Sequence, residues 1–208
     1  MGSSVYFPND KSLAFVRVVG ILLAAGRSER FGGDKLIAPL PRSIDDIAAG
    51  TPLGVAACRH LVAALAETLA VVRPGDRVLA GMLRDEGARI VECANADEGM
   101  GASLACAVRS AADAGGWVVA LADMPSIKPA TILNVARALR EGSDIVAPIH
   151  NVTRGHPVGF ARRHCAALSA LVRDEGARSI IVANRATLVL QPTDDAGVVH
   201  DVDTPAQF

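Results

Sequence analysis

Three stretches of the sequence carry residue types suited to phosphate and metal chemistry. The first runs Leu23-Ala24-Ala25-Gly26-Arg27-Ser28-Glu29-Arg30-Phe31-Gly32-Gly33-Asp34-Lys35, a small-residue turn directly after an apolar run. Small side chains let backbone N–H groups approach phosphate oxygens, and Arg27, Arg30 and Lys35 supply cationic donors for a triphosphate. The spacing fits neither GxxxxGK[ST] nor GxGxxG, so taken alone the turn reads as an ordinary strand-to-helix connection. The second stretch is Leu121-Ala122-Asp123-Met124-Pro125, which places a carboxylate at the end of the strongest apolar run in the chain. Magnesium prefers hard oxygen ligands and usually takes one or two carboxylates plus substrate phosphates; a capping or turn aspartate is the competing reading. The third is His200-Asp201-Val202-Asp203-Thr204-Pro205. If Val202 packs inward, alternation points Asp201 and Asp203 to one side, where one of them could join Asp123 on a metal.

These stretches need strands to present them. Val18 to Ala24 reads as a buried strand, Leu53 to Glu67 as a helix, Leu69 to Arg73 as a strand and Asp76 to Asp85 as a helix with Asp76 near its cap. Arg89 to Cys93, Trp117 to Ala122 and Asp144 to Pro148 read as further strands, with helices over Gly101 to Ala112 and from Pro129 to about Arg140. The last third is less regular: a loop from Ile149 to Pro157, a helix from about Arg162 to Arg173, and a short strand near Val198 to Val202. Strands alternating with helices predict an α/β fold, a single domain with a mainly parallel open sheet and helices on both faces. In such sheets ligands bind beyond the carboxyl ends of the strands, which is where the three stretches fall.

Composition narrows the partners. The chain has 208 residues, and at 3% aromatic content its core must be built from Ala, Val, Leu and Ile, which suits helices packed on a buried parallel sheet. With 21 basic and 22 acidic residues and a net charge of -1, no general attraction to nucleic acid or to an anionic membrane is expected. Cys58, Cys93, Cys106 and Cys165 form no CxxC pair and no zinc-ligand spacing, which reads as small thiols in a reducing cytoplasm. Arg17 interrupts the apolar stretch from Leu13 to Ala25, leaving a run far short of the roughly 20 residues a membrane helix needs. Residues 1–17 read as an N-terminal extension, and 18–208 as the domain.

Six motifs together resemble the molybdenum cofactor cytidylyltransferases, within the nucleotidyltransferases of glycosyltransferase-A-like fold. They are LAAGRSERFGGDK, NADEGMGASLACAV, LADMPSI, GHPVGF, DEGARSII and DVDTPAQF, in the family's order and near its spacing from Val18 to Phe208. The resemblance implies a Rossmann-like nucleotidyltransferase that moves CMP from CTP to the phosphate of molybdopterin and releases pyrophosphate. Leu23, Ala24, Ala25, Gly26 and Arg27, with Arg30 and Lys35, resemble the triphosphate cradle. Asp123 looks like the principal Mg²⁺ ligand and Asp203 like the second, with Lys35, Asp123 and Asp203 as the catalytic set. Glu98 to Ser103 resembles the base-recognition loop, with Gly99 and Ser103 in contact with the nucleotide and with Ser103 and the backbone around Gly99 and Gly101 offering hydrogen bonds to cytosine, and His156 would line the acceptor side. Such an enzyme would be cytoplasmic, with a molybdoenzyme or its maturation factor as a further partner.

Two departures bear on the acceptor. Pro41 to Gly50 is longer than the family's connection there and reads as a surface insertion or a lid, and the 17-residue start is unusual. Leu-Ala-Ala-Gly is the form associated with the cytidylyl branch and Leu-Ala-Gly-Gly with the guanylyl branch, so Ala25 favours CTP. The alternatives are a guanylyltransferase, transfer to another small phosphorylated acceptor, or a non-catalytic module that delivers cofactor. Retention of Lys35, Asp123 and Asp203 together argues against the last.

Overall fold

The computed structural model describes residues 16–26, 31 and 34–204. In chain order the elements are Val18–Leu23 (β1), Leu53–Ala64 (α1), Thr68–Val72 (β2), Arg77–Asp85 (α2), Arg89–Glu92 (β3), Met100–Ser110 (α3), Gly116–Leu121 (β4) and Pro129–Arg140 (α4). They continue as Ile145–His150 (β5), Thr153–Arg154 (β6), Val158–Ala161 (β7), Cys165–Ser169 (α5), Arg178–Ala183 (α6) and Leu188–Pro192 (β8). The first nine elements fall within a few residues of the sequence expectation. Pro129 opens α4, and the Asp76 carboxylate accepts from the Leu79 amide at 3.3 Å as the cap of α2.

The strands form one sheet in the order β3-β2-β1-β4-β7-β5-β6, with β8 paired to β5. β1, β2, β3 and β4 run parallel, as do β5 and β8, while β7 lies antiparallel between β4 and β5. Alternation along β1 sends Val18 and Leu22 to one face, where they pack with Leu53 and Leu61 of α1, Leu79 of α2 and Ile132 of α4. Val19 and Ile21 face the other side, with Leu104 and Val108 of α3, Leu168 of α5 and Ile181 of α6. β1, β2 and β4 are therefore buried on both faces, which is why these runs are continuously apolar. Among the described residues no helix is long and apolar enough to cross a membrane. Burial pushes the Cys58 thiol up to about 12 and the Cys93 thiol to about 11, so both are poor nucleophiles.

The last third departs from the expectation. The helix expected over Arg162 to Arg173 is a 3₁₀ turn at Arg162–His164 followed by α5, which stops at Ser169. Its continuation is drawn away because the Arg173 carbonyl accepts from the Gly101 amide at 2.7 Å, a tertiary bond that a continuing helix could not make. The strand expected near Val198 to Val202 is instead a 3₁₀ turn at Ala196–Val199. The Asp195 carboxylate nucleates that turn, accepting from Gly197 N at 3.0 Å, Lys128 N at 2.9 Å and Thr131 Oγ1 at 2.7 Å. Strand β6, within the expected loop from Ile149 to Pro157, was not expected, nor were strands β7 and β8 and helix α6. β7 is only four residues long, and β8 is half exposed along a single-partner edge, so neither has the length or alternation that marks a strand in sequence.

The far end of the sheet is locked by Asp144, buried just before β5. Its Oδ1 accepts from His164 Nε2 at 2.7 Å and Arg163 Nε at 2.8 Å, and its Oδ2 from Thr187 Oγ1 at 2.6 Å. Burial alone would raise this carboxyl, but the hydrogen bonds from Thr187 and His164 and the charges of His164 and Arg163 hold it below the usual carboxylate range. Because the folded state holds fewer protons than the unfolded one, this contribution is complete above about pH 5 and is lost as pH falls through the depressed value. Asp144→Asn is expected to cost about 1.5–3 kcal/mol at pH 7. Urea melts should show the gap from wild type closing as pH falls below about 5 and through the depressed value; a gap that does not depend on pH would mean the carboxylate charge contributes nothing.

Candidate functional site

Strand order reverses at β1: the chain leaves it to build β2 and β3 on one side, then returns to add β4 on the other. The segments that leave the neighbouring ends of β1 and β4 part there and open a crevice. Leu23 and Leu121 are register partners, and the pairing continues one step further with Ala122 N donating to Leu23 O at 3.1 Å. Ala24, Ala25 and Gly26 leave one lip of this crevice, and Asp123 leaves the other. Arg27 and Arg30 lie outside the described residues.

Asp123 is met by the chain's last described segment. Val202 N donates to Asp123 O at 2.9 Å, which fixes Val202 between Asp201 and Asp203. Gly197 makes this approach possible, since any side chain there would overlap the Ser126 carbonyl. One carboxylate oxygen from each of Asp123, Asp201 and Asp203 then lies within 4.8 Å of the others. The alternation expected for Asp201 and Asp203 holds although the segment is not a strand.

Lys35 opens a 3₁₀ turn at Lys35–Ile37, anchored by buried Leu36 and by Leu53 N donating to Ala38 O at 3.0 Å. Its side chain is only 9% exposed, yet its ammonium lies 2.9 Å from Asp123 Oδ2 and 3.5 Å from Asp203 Oδ1. Three hard oxygen donors this close repel one another unless a cation lies among them, so the donor set fits a divalent ion as well as the ammonium.

Beside the cluster lies a cleft of about 410 Å³ bounded by Leu23, Ala25 and Gly26 on one wall, Leu121 and Asp123 on another, and the segment from Ala96 to Ser103 with Asp174 at the far end. It brings together Leu23, Ala25, Gly26, Gly99, Ser103 and Asp123, residues that the sequence singled out from separate stretches. The hydrogen-bonding expectation for the loop needs correction. The Gly99 amide is held by Ala96 O at 3.1 Å, the Gly101 amide by Arg173 O at 2.7 Å, and the Ser103 hydroxyl donates to Gly99 O at 3.3 Å. The Gly99 and Gly101 N–H groups are thus committed within the protein, and what faces the cleft is acceptor character. Asp97 and Asp174 contribute to that lining, and both sat unremarked inside recognised motifs.

His156 lines a second cavity of about 260 Å³, which shares Leu23, Met100, Leu121 and Asp174 with the first. Arg154 and Arg178 also border it, the latter within DEGARSII and not singled out by the sequence reading. Burial, and then the charge of Arg154, holds the imidazole below its ordinary value against the opposing charges of Asp123 and Asp201. Its Nδ1 is buried and meets no hydrogen-bond partner among the described residues. The 41–50 segment is anchored rather than loose: Leu40 and Ile47 are buried, and Ile44 and Ile47 exchange backbone hydrogen bonds at 2.9 and 2.8 Å. Arg42, Ser43 and Ile44 wall a third hollow, of about 480 Å³, whose opposite side includes His200 and Asp201.

Comparison with known proteins identifies the family and the fold. Residues 20–188 match the MobA-like NTP transferase domain. Purine catabolism protein PucB of Bacillus subtilis (strain 168) is 30% identical over 196 residues, covering 92% of this chain and 94% of PucB. Rv0371c from Mycobacterium tuberculosis H37Rv superposes with a TM-score of 0.76 at 24% identity, covering 93% of this chain and 96% of its own. A manganese complex of Rv0371C superposes at 0.72 and 23% identity, covering 92% and 95%. Molybdopterin-guanine dinucleotide biosynthesis protein A from Archaeoglobus fulgidus does so at 0.65 and 20% identity, covering 91% and 94%. The chain belongs to the MobA-like NTP transferase domain family and is a nucleotidyltransferase, its substrate a nucleoside triphosphate.

Proposed function

We propose that this chain transfers CMP from CTP to the phosphate of a molybdopterin-type acceptor, with Mg²⁺, and releases pyrophosphate. The observation that carries the reading is the cluster of Asp123, Asp201, Asp203 and Lys35 at the mouth of a cleft floored by Ala25 and Gly26. In this reading Asp123 and Asp203 hold the metal, and the turn from Leu23 to Arg27, with Arg30 and Lys35, receives the triphosphate. Bound there, magnesium would neutralise phosphate oxygens and stabilise charge moving onto the leaving group. Gly99 and Ser103 border the base. His156, with Arg154 and Arg178, borders the cavity that adjoins the cleft, where the acceptor would lie.

The acceptor's phosphate has its second pKa near about 6 and is largely a dianion at neutral pH, so the attack needs no strong general base. One of its oxygens forms the new bond to the α-phosphorus. The bond from that phosphorus to the bridging oxygen breaks, and its electron pair leaves on pyrophosphate. The chain aligns these groups, and the Lys35 ammonium offers charge to the departing oxygens.

CTP is favoured over GTP because Ala25 borders the cleft, where a glycine would leave more room for a purine. With molybdopterin present, pyrophosphate release is expected to favour CTP by about 10–100-fold, the range for one steric or polar mismatch. Ala25→Gly should narrow that gap. Equal or better use of GTP by the wild type would exclude the cytidylyl reading while leaving nucleotidyl transfer in place.

A further inference from the structure

We propose that Asp174 is the positioning residue of the nucleotide cleft, acting through the amino end of α3. The inference rests on the nucleotidyltransferase reading of that cleft.

An α-helix begins with four amides that have no partner in the helix itself. In α3 the turn at 173–174 takes three of these groups. Met100 N donates to Asp174 Oδ1 at 3.1 Å, and Gly101 N and Ala102 N donate to Arg173 O at 2.7 and 3.4 Å. Arg173 adopts φ 52°, the left-handed conformation that aims its carbonyl and the next carboxylate at one helix end.

The fit also dictates the glycines facing the turn. Gly99 has φ 128°, and a methyl group there would overlap the Asp174 carboxylate. At Gly101 a methyl group would come within 2.8 Å of the Arg173 carbonyl. The contact is therefore largely backbone against backbone along one helical turn, joined by the Asp174 carboxylate.

Two consequences follow for the ligand. A helix amino end with open amides attracts phosphate, but here those amides are committed, so this end of the cleft suits the uncharged base, and the phosphates turn toward Gly26 and Lys35. Asp174 also borders both the cleft and the cavity of His156, and four residues later the same segment carries Arg178 into that cavity. The residue that sets the base-side wall is thus continuous with the wall of the adjoining cavity.

The test is a split between binding and turnover. Asp174→Ala is expected to raise KM for CTP about tenfold, the scale of a lost helix cap, with kcat within about threefold of wild type. Asn caps as well as Asp, so Asp174→Asn should keep KM near the wild-type value. Gly99→Ala disturbs the same contact from the other partner and should reproduce the Asp174→Ala profile. Asp174→Ala should melt only a few degrees below wild type, as the loss of one cap implies, and titration of Mn²⁺ alone should be unchanged. An unchanged KM in Asp174→Ala, a loss confined to kcat, or an Asp174→Asn variant as impaired as Asp174→Ala would each overturn the proposal. Should the wild type turn over no nucleotide, the catalytic reading fails first, and direct CTP titration of the same variants still decides the role of Asp174 by the same order of affinities.

Discussion

Asp123→Ala is expected to lower pyrophosphate release by about 10³-fold or more, since ligation of phosphate by a bound metal is worth several kcal/mol and each 1.36 kcal/mol is a factor of ten. The fold should survive, because Asp123 leaves the end of β4 into the crevice, with a side chain 26% exposed, and its loss opens no core cavity. Lys35 retains Asp203 at 3.5 Å, so its ammonium is not stranded in the interior. Circular dichroism, thermal melts and Mn²⁺ titration should accompany the assay: an intact fold that no longer takes up Mn²⁺ is the expected profile. Asp203→Ala should be similarly impaired and Asp201→Ala less so. The reverse order for the last two would move the second ligand to Asp201, and wild-type turnover by Asp123→Ala in metal-replete buffer would remove Asp123 from the mechanism.

What made this site readable in sequence was its dependence on strand ends. Val18 to Leu23 and Gly116 to Leu121 are buried on both faces, so they appear as uninterrupted apolar runs, and the first polar residues after them had to lie at the sheet's carboxyl edge. Asp123 and the Ala24–Gly26 turn were found in that way. Asp201 and Asp203 were found by alternation, which survived although the segment, bonded through Val202 N to Asp123 O, is not a strand. What was not legible depended on tertiary bonds. The stop of α5, the cap on α3 and the 3₁₀ turn after Asp195 are each set by a partner distant in sequence, Arg173 with Gly101, Asp174 with Met100, Asp195 with Lys128. No local periodicity records such partners. For the same reason the Gly99 and Gly101 amides were read as open to a base when they are already bonded.

Lys35→Ala is expected to separate two properties that Asp123→Ala removes together. The Lys35 ammonium is nearly buried and lies within 4 Å of both Asp123 and Asp203, a position from which it screens the acidic cluster and can also reach a departing pyrophosphate. Removing a preorganised charge of this kind from the transition state typically costs about 10²–10³-fold in turnover, and kcat with CTP should fall by that amount. The mutual repulsion of the three carboxylates is then screened less from within, so a divalent cation gains more by entering. Mn²⁺ titrated alone should therefore bind Lys35→Ala at least as tightly as wild type, where it must compete with the ammonium for the same oxygens. Lost turnover with retained metal uptake would assign Lys35 to the chemistry of the triphosphate. Unchanged turnover and CTP affinity would make it only a counter-ion that holds Asp123 and Asp203 together before substrate arrives.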